Sequence, residues 1–429
     1  MNLIKSLIPK KIIDICRPTY HYSLAFLGAV IYRFPSRKIK VVAVTGTKGK
    51  STTTEIVNAI LEEAGLKTAL ANTLRFKIGG KEKRNLFKMT MPGRFFLQKF
   101  LRQAVKEGCD FAIIEMTSEG ARQFRHKFID LDALIFTNLS PEHIESHGSY
   151  ENYVRAKLKI AEALSRSSKK RKILIINNDE KEAEKFKAVK NTKKFLYSIS
   201  DMADLLLQDQ KSSFVWQGRR IETKLIGKFN IYNILGALSL TEALGVDLEK
   251  ARRAIEKIEK IRGRVEKIPA NGFDVYVDYA HTIDSLTKLY EAFPNNKKIC
   301  VLGNTGGGRD QWKRPGMAKV ANEYCQEVIL TNEDPYDEDP QKILDEMAVS
   351  VSKEKLKIIL DRREAIRTSL INAKEKSSLI KTDKKSEKVV VLITGKGTDP
   401  FIMGPHGSKI PWDDAGVVRE ELKKLGYRV

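Results

Sequence analysis

Seven residues, Gly46-Thr47-Lys48-Gly49-Lys50-Ser51-Thr52, follow an apolar run at Val41–Thr45 and lead straight into a helical pattern. A strand, a glycine turn and a helix start together make an anion site. Main-chain amides converge there and the helix dipole favours negative charge. Lys50 suits terminal phosphates, and Ser51 or Thr52 suits a magnesium ion. The loop is shorter than the widespread phosphate-loop spacing, because Val44 stands where the first glycine would be. Glu115 closes a second apolar run, Phe111–Glu115, where a carboxylate at the carboxyl edge of a sheet meets magnesium. Thr137-Asn138-Leu139-Ser140 closes a third, and His143 and His147 follow. Two histidines four apart suit zinc on a helix. Pro141 and Gly148 point instead to a loop, with hydrogen bonding or magnesium as the expected roles.

The elements that hold these groups follow from patterning. Apolar, β-branched runs recur at Val41–Thr45, Phe111–Glu115, Ala133–Thr137 and Ile173–Asn177, separated by helical patterns such as Thr53–Ala64 and Phe95–Glu107. A second set occupies Val275–Asp278, Ile299–Leu302, Glu327–Thr331 and Val389–Thr394, beyond a helical stretch at Leu248–Lys260 and a break near Ile261–Val265. Strands alternating with helices predict an α/β fold with parallel sheets covered on both faces. Three parts are expected: a basic helical segment over 1–40, a central phosphate-loop (P-loop-type) domain over 41–262, and a C-terminal Rossmann-like α/β domain over 263–429. Ala188–Ile221 reads as a small β-rich insertion, and the Lys- and Ser-rich stretch Lys374–Lys388 as an exposed loop.

The 429 residues exceed one ordinary core. The net charge of +23 raises the question of a polyanion, but lysine is spread over the chain. No aromatic-rich basic strand pattern of the RNA-binding kind occurs, so a nucleic-acid partner is not expected. Cys16, Cys109, Cys300 and Cys325 show no close pairing, so neither a disulfide framework nor a zinc knuckle is expected, and a cytoplasmic location fits. Leu24 to Tyr32 are nearly all apolar and are flanked by Lys10, Lys11, Arg17, Arg33, Arg37 and Lys38. The run is too short to span a bilayer. Two readings stay open: a helix docked on the main body, or one lying peripherally on an anionic membrane.

Together the motifs resemble the Mur ligase family, in its muramoyl-tripeptide synthetase branch, over roughly residues 41–429. Thr45 to Thr52 is similar to the family's nucleotide loop. Thr137-Asn138-Leu139 with His143, His147, Gly148, Tyr153, Ala156 and Lys157 resembles its Thr-Asn-Leu…His…His-Gly…Tyr-x-x-Ala-Lys stretch. By that match Lys157 is the lysine that the family carbamylates. Gly227 to Asn233 resembles a Gly-x-Phe-Asn-x-x-Asn motif, which places Asn230 and Asn233 near adenine. Gly263-Arg264-Val265-Glu266 is similar to a hinge whose arginine approaches phosphates. Asp278-Tyr279-Ala280-His281 resembles a strand end with ribose and adenine contacts.

The resemblance implies ADP-forming acid–amino-acid ligation in wall-precursor synthesis. ATP is expected to bind between the central and C-terminal domains, with Mg2+ held by Ser51, Glu115, His143 and carbamylated Lys157. Lys50, Glu115, His143 and Lys157 are the expected catalytic groups. Thr90, Pro92 and Ser118 are expected to touch the acceptor, and Arg309, Asp334, Pro335, Tyr336, Lys396 and Asp399 the incoming amino acid. Three departures bear on specificity. About 40 residues stand where the family's UDP-holding domain is expected, so the acceptor's carrier is expected either to be held otherwise or not to be a nucleotide. Glu333-Asp334-Pro335-Tyr336 replaces Asp-Asn-Pro-Arg, and Tyr336 lacks the fork that grips a distal carboxylate. Gly395-Lys396-Gly397-Thr398-Asp399 replaces Gly-Lys-Gly-His-Glu. A diamino acid, lysine ahead, is the expected addition. The alternatives are a ligase of the superfamily extending polyglutamate or a cyanophycin-like polymer, and a non-catalytic ATP-binding subunit.

Overall fold

The structure is a computed structural model, and it describes residues 10–142, 144–208, 210–379 and 388–428. It divides into two compact units. The first comprises residues up to 139, 149–202 and 232–257, and the second comprises 140–148, 203–231 and 258–429.

The first unit opens with helix α1 (Lys10–Ile31). Its sheet strands are β1 (Lys40–Thr45), β2 (Thr68–Ala71), β3 (Arg75–Ile78), β4 (Lys81–Arg84), β5 (Phe111–Glu115), β6 (Ala133–Phe136), β7 (Ile173–Asn177) and β8 (Lys193–Tyr197). They lie in the order β4-β3-β2-β5-β1-β6-β7-β8. The run from β2 to β8 is parallel, and β3 and β4 form an antiparallel edge. Helices α2 (Lys50–Glu63), α3 (Arg94–Lys106) and α4 (Tyr150–Ser165) lie among the crossovers. Every residue of β5, β6 and β7 is buried, the sign of a sheet covered on both faces. One consequence is geometric: the carboxyl ends of β1, β5, β6 and β7 share one edge, where the glycine loop, Glu115 and Thr137 lie.

The second unit holds a sheet of β12 (Glu266–Ala270), β13 (Phe273–Val277), β14 (Lys297–Leu302), β15 (Glu327–Leu330), β16 (Leu356–Ile358) and β17 (Val389–Ile393), ordered β12-β13-β17-β14-β15-β16. All neighbours are parallel except β12 with β13. Three further strands, β9 (Met202–Leu207), β10 (Ser212–Trp216) and β11 (Arg219–Thr223), form a small sheet. The stretch read as a β-rich insertion is therefore divided, because β8 joins the main sheet of the first unit. Helix α5 (Lys228–Ala243) runs from the second unit into the first and carries Asn230 and Asn233, and α6 (Leu248–Lys257), in the first unit, ends three residues short of the expected helix.

Three expectations are corrected here. Cys300 and Cys325 form a disulfide. A separation of 25 residues carries no pairing signal; the βαβ crossover from β14 through α7 (Arg314–Tyr324) brings the two ends together. Lys374–Ser378 is the last turn of helix α8 (Arg362–Ser378) rather than a loop, because Ala373 and the residues before it pack on the sheet and carry the helix onward. Residues 380–387 of that stretch lie outside the described residues. Ile144–His147 forms a single helical turn between Pro141 and Gly148 where a loop was expected. Among the described residues no helix is long and apolar enough to cross a membrane.

His126 is buried, with neither ring nitrogen hydrogen-bonded. Burial, then Lys127 and Lys159, push its pKa down to about 3. A base whose folded pKa lies below its unfolded value contributes stability that is lost as pH falls. Chemical denaturation should therefore show stability declining as pH drops from about 6.5 towards 3. His126→Leu should flatten part of that slope. An unchanged slope in the variant would show that His126 does not supply it.

Candidate active site

The first unit builds a phosphate cradle from β1, α2, β5, β6 and α4. Gly49 sits in the left-handed region at φ 82° and precedes α2, whose first turn has no side-chain cap. The amides of that turn stay available to an anion. A Cβ on Gly49 would overlap the Asn233 side chain, and one on Gly46 would overlap Thr137 Oγ1. The loop is braced from β6: Thr47 N donates to Asn138 O (2.9 Å), Lys48 N donates to Asn138 Oδ1 (2.8 Å), and Thr137 Oγ1 donates to Lys48 O (2.8 Å). Thr53 Oγ1 donates to Asn233 Oδ1 at 3.3 Å, so α5 supports the same loop.

Lys50 Nζ donates to Thr47 O (2.9 Å) and lies 3.9 Å from Glu115 Oε1. Ser51 Oγ donates to Glu115 Oε2 at 2.9 Å. A hydroxyl and a carboxylate in contact at the carboxyl edge are hard oxygen donors, the set that suits Mg2+. Lys157 on α4 is buried, with Nζ donating to Gly46 O at 2.6 Å and lying 4.9 Å over the Tyr153 ring. Tyr153 Oη bonds Thr47 Oγ1 at 2.8 Å. Thr52 is buried in the first turn of α2. His143, expected beside these groups, lies outside the described residues.

A chain of hydroxyls leads from Glu115 to the expected acceptor motif. Thr73 donates to Glu115 Oε2 from both N and Oγ1 (3.0 Å each), and Thr73 Oγ1 bonds Thr90 Oγ1 at 2.8 Å. Met91 packs under Thr117 and Gly120, which fixes Pro92 and Ser118 near one another in the fold. Thr73 and Asn138 were not among the expected site residues. Asn138 lay within a quoted motif, whereas Thr73 had no sequence signal.

The second unit gathers the other expected residues. Asp278 accepts from Val265 N (2.8 Å) and Ala280 N (2.7 Å), so it braces the Arg264 turn as well as closing its strand. Arg264 lies 4.7 Å over the Tyr279 ring. His281 bonds Tyr279 O through Nδ1 (2.6 Å) and Glu142 Oε1 through Nε2 (2.9 Å); Glu142 was not anticipated. Asn230 donates to Ile226 O at 2.8 Å and so sits at the start of α5.

Lys396 is buried and donates to Asp334 Oδ1 (2.8 Å), Phe401 O (2.6 Å) and Asp399 Oδ2 (3.3 Å). Asp334 also accepts from Met403 N (2.8 Å), and Tyr336 N donates to Met403 O (3.1 Å). Arg309 lies 5.0 Å over the Tyr336 ring. The main chain of Pro335 closes on Gly306, where any side chain would meet its carbonyl. Glu333, next in line, accepts from Thr305 Oγ1 (2.8 Å) and has its second oxygen buried beside Gly395 without a partner. Burial and the Asp334 carboxylate push its acid above the ordinary glutamate range. Asp334 and Asp399 thus share one ammonium.

Fold and cradle together define a phosphate-loop protein built of two α/β units. Residues 44–241 match the family model for the Mur ligase middle domain, and residues 263–397 match the Mur ligase, glutamate ligase domain. The chain belongs to the Mur ligase family, and it is an ATP-dependent ligase. It is 34% identical to a UDP-N-acetylmuramyl-tripeptide synthetase of Roseiflexus sp., over 96% of this chain and 84% of the relative. It is also 34% identical to a UDP-N-acetylmuramoyl-L-alanyl-D-glutamate–2,6-diaminopimelate ligase of Geobacillus kaustophilus, over 94% of this chain and 83% of the relative. A solved ligase of the latter kind superposes with a TM-score of 0.60 at 28% identity, covering 91% of this chain and 79% of that one. Folylpolyglutamate synthase of Mycobacterium tuberculosis shares the fold, with a TM-score of 0.71 at 14% identity, covering 90% and 94%.

Proposed function

We propose that this enzyme joins a diamino acid to the free carboxylate of a UDP-muramoyl dipeptide in the cytoplasm, forming an amide at the expense of ATP. The observation that carries the reading is the meeting of the phosphate loop, the Ser51–Glu115 pair and buried Lys157 at one sheet edge. The acceptor carboxylate attacks the γ-phosphorus, ADP leaves, and an acyl phosphate forms. The unprotonated amine attacks the acyl carbon. The C–N bond forms, the C–O bond to phosphate breaks with its electron pair, and the amine proton passes to solvent. Lys50 and the amides of Gly46 to Thr52 hold the phosphates in line. Ser51, Glu115 and His143 would hold magnesium, which when bound neutralises phosphate charge. Thr90, Pro92 and Ser118 orient the acceptor. Asn230, Asn233, Arg264, Asp278 and His281 serve the nucleotide.

Arg309, Asp334, Pro335, Tyr336, Lys396 and Asp399 form the amino-acid pocket. Tyr336 itself offers no guanidinium to a distal carboxylate, and the Asp399 carboxylate, 3.3 Å from Lys396 Nζ, can face a terminal ammonium. Lysine is therefore the preferred addition. Incubating the enzyme with ATP, the UDP-muramoyl dipeptide and lysine, ornithine or diaminopimelate, with product mass as the readout, tests this. Ligation of diaminopimelate in preference to lysine would refute the pocket assignment. Phosphate release only with a polyglutamate acceptor would refute the acceptor.

Lys157 is proposed to carry a carbamate that helps to place the metal. Its burial beside the phosphate loop supports this. Lys157→Ala should lower kcat by about 10²-fold. Carbon-13 NMR of wild type in labelled bicarbonate should show a carbamate signal that the variant lacks. Identical spectra would rule the modification out.

A further inference from the structure

We propose that the first unit docks on an anionic membrane surface through α1 and the amino edge of its sheet, with the phosphate cradle on the opposite edge. Helix α1 buries Ala25, Gly28 and Ala29, and Gly28 lies against Phe95 of α3. Its other side presents Tyr20, Leu27, Val30 and Ile31 at i, i+7, i+10 and i+11, which is one helical stripe. These four are 60%, 47%, 45% and 55% exposed. An apolar stripe of this length at the surface needs a cover.

Charge identifies the cover. The chain leaves α1 through Arg33 and turns at Pro35–Lys38 into the amino end of β1. Because β1, β7 and β8 are parallel, the residues before β7 lie on that same edge. Two contacts seat them there. Lys169 Nζ donates to Ile39 O (2.8 Å), and Asp130 accepts from both Arg37 Nε (3.3 Å) and Ser168 N (3.0 Å). Asp130 and Asp132 are matched by Arg37 and Lys169. Arg33, Lys38, Lys170 and Arg171 are exposed, and none has a carboxylate partner among the described residues. Lys170 and Arg171 also line a cleft of about 370 Å³ at the amino ends of β7 and β8. An apolar stripe bordered by unpaired cations, with Tyr20 at its end, is the pattern of a helix lying in an anionic lipid interface. A protein partner would have to match both the stripe and an unscreened cation row.

Co-sedimentation of the full chain with vesicles tests the proposal. Binding is expected to phosphatidylcholine vesicles with phosphatidylglycerol as a third of the lipid, to fade in high salt, and to be absent with phosphatidylcholine alone. Arg33→Glu with Lys38→Glu should weaken it at least about tenfold, and Leu27→Glu with Ile31→Glu should abolish it. Both double variants should keep the wild-type melting temperature and rate of ATP turnover. Equal binding to both vesicle types, or no binding to either, overturns the proposal. So does a dimer in sedimentation equilibrium that Leu27→Glu dissociates, since a second copy would then be the cover.

Discussion

Replacing Lys50 with alanine should lower kcat by about 10²–10³-fold, the usual loss when one charge-stabilising donor is removed from a reacting phosphate site. The Lys50 ammonium reaches back to Thr47 O and stands 3.9 Å from Glu115 Oε1, inside the turn whose amides would hold the γ-phosphate. Glu115 keeps its bonds from Ser51 and Thr73, so the cradle should survive the substitution and the melting temperature should change little. The expected signature is a fall in kcat larger than any rise in KM, because the charge matters most as it spreads over the transferring group. Lys50→Arg should not restore the rate, since a planar fork does not replace a compact ammonium in this turn. Single-turnover phosphate release measures both variants. Near-normal release by Lys50→Ala would remove the phosphate loop from the chemistry.

The largest stability effect is expected in the second unit. Arg362 and Asp414 form a bidentate pair in the second unit, Nε to Oδ1 and Nη2 to Oδ2, both at 2.8 Å. Their side chains are 1% and 0% exposed. Arg362 also donates to Thr394 O (2.8 Å), one residue before Gly395, and Trp412 Nε1 donates to Asp414 Oδ1 (2.7 Å). Asp414→Ala leaves a buried guanidinium without its counter-charge and should cost about 3–5 kcal/mol. The double change Arg362→Met with Asp414→Leu should cost less, because no charge is then stranded. Urea denaturation gives both values. Since Arg362 also holds the strand end leading to Lys396, Asp414→Ala should raise KM for the amino acid more than KM for ATP. A single variant no less stable than the double would contradict the stranded-charge account.

How much of this was legible beforehand differs by element. The four apolar runs of the first unit became β1, β5, β6 and β7, because a strand buried on both faces must be apolar throughout. The glycine loop was legible for a local reason: backbone at φ 82° at Gly49 lies in the left-handed region that favours glycine. The edge strands β3 and β4 carried no such signal, being short and mostly charged. The Cys300–Cys325 bridge, the seat of Thr73 on Glu115 and the Glu142–His281 contact were invisible, since each joins residues that only the folded chain brings together.

By itself, the order of residues determined the alternation of strands and helices, the phosphate loop and the family, because these rest on local geometry and on short motifs. Tertiary structure decided what each candidate touches. It sent Lys157 to the Gly46 carbonyl, shared Lys396 between Asp334 and Asp399, and matched Arg37 and Lys169 to Asp130 and Asp132 at the amino edge. Burial and charge partnership depend on crossovers that join distant stretches of chain, and no periodicity in the sequence records where a crossover ends.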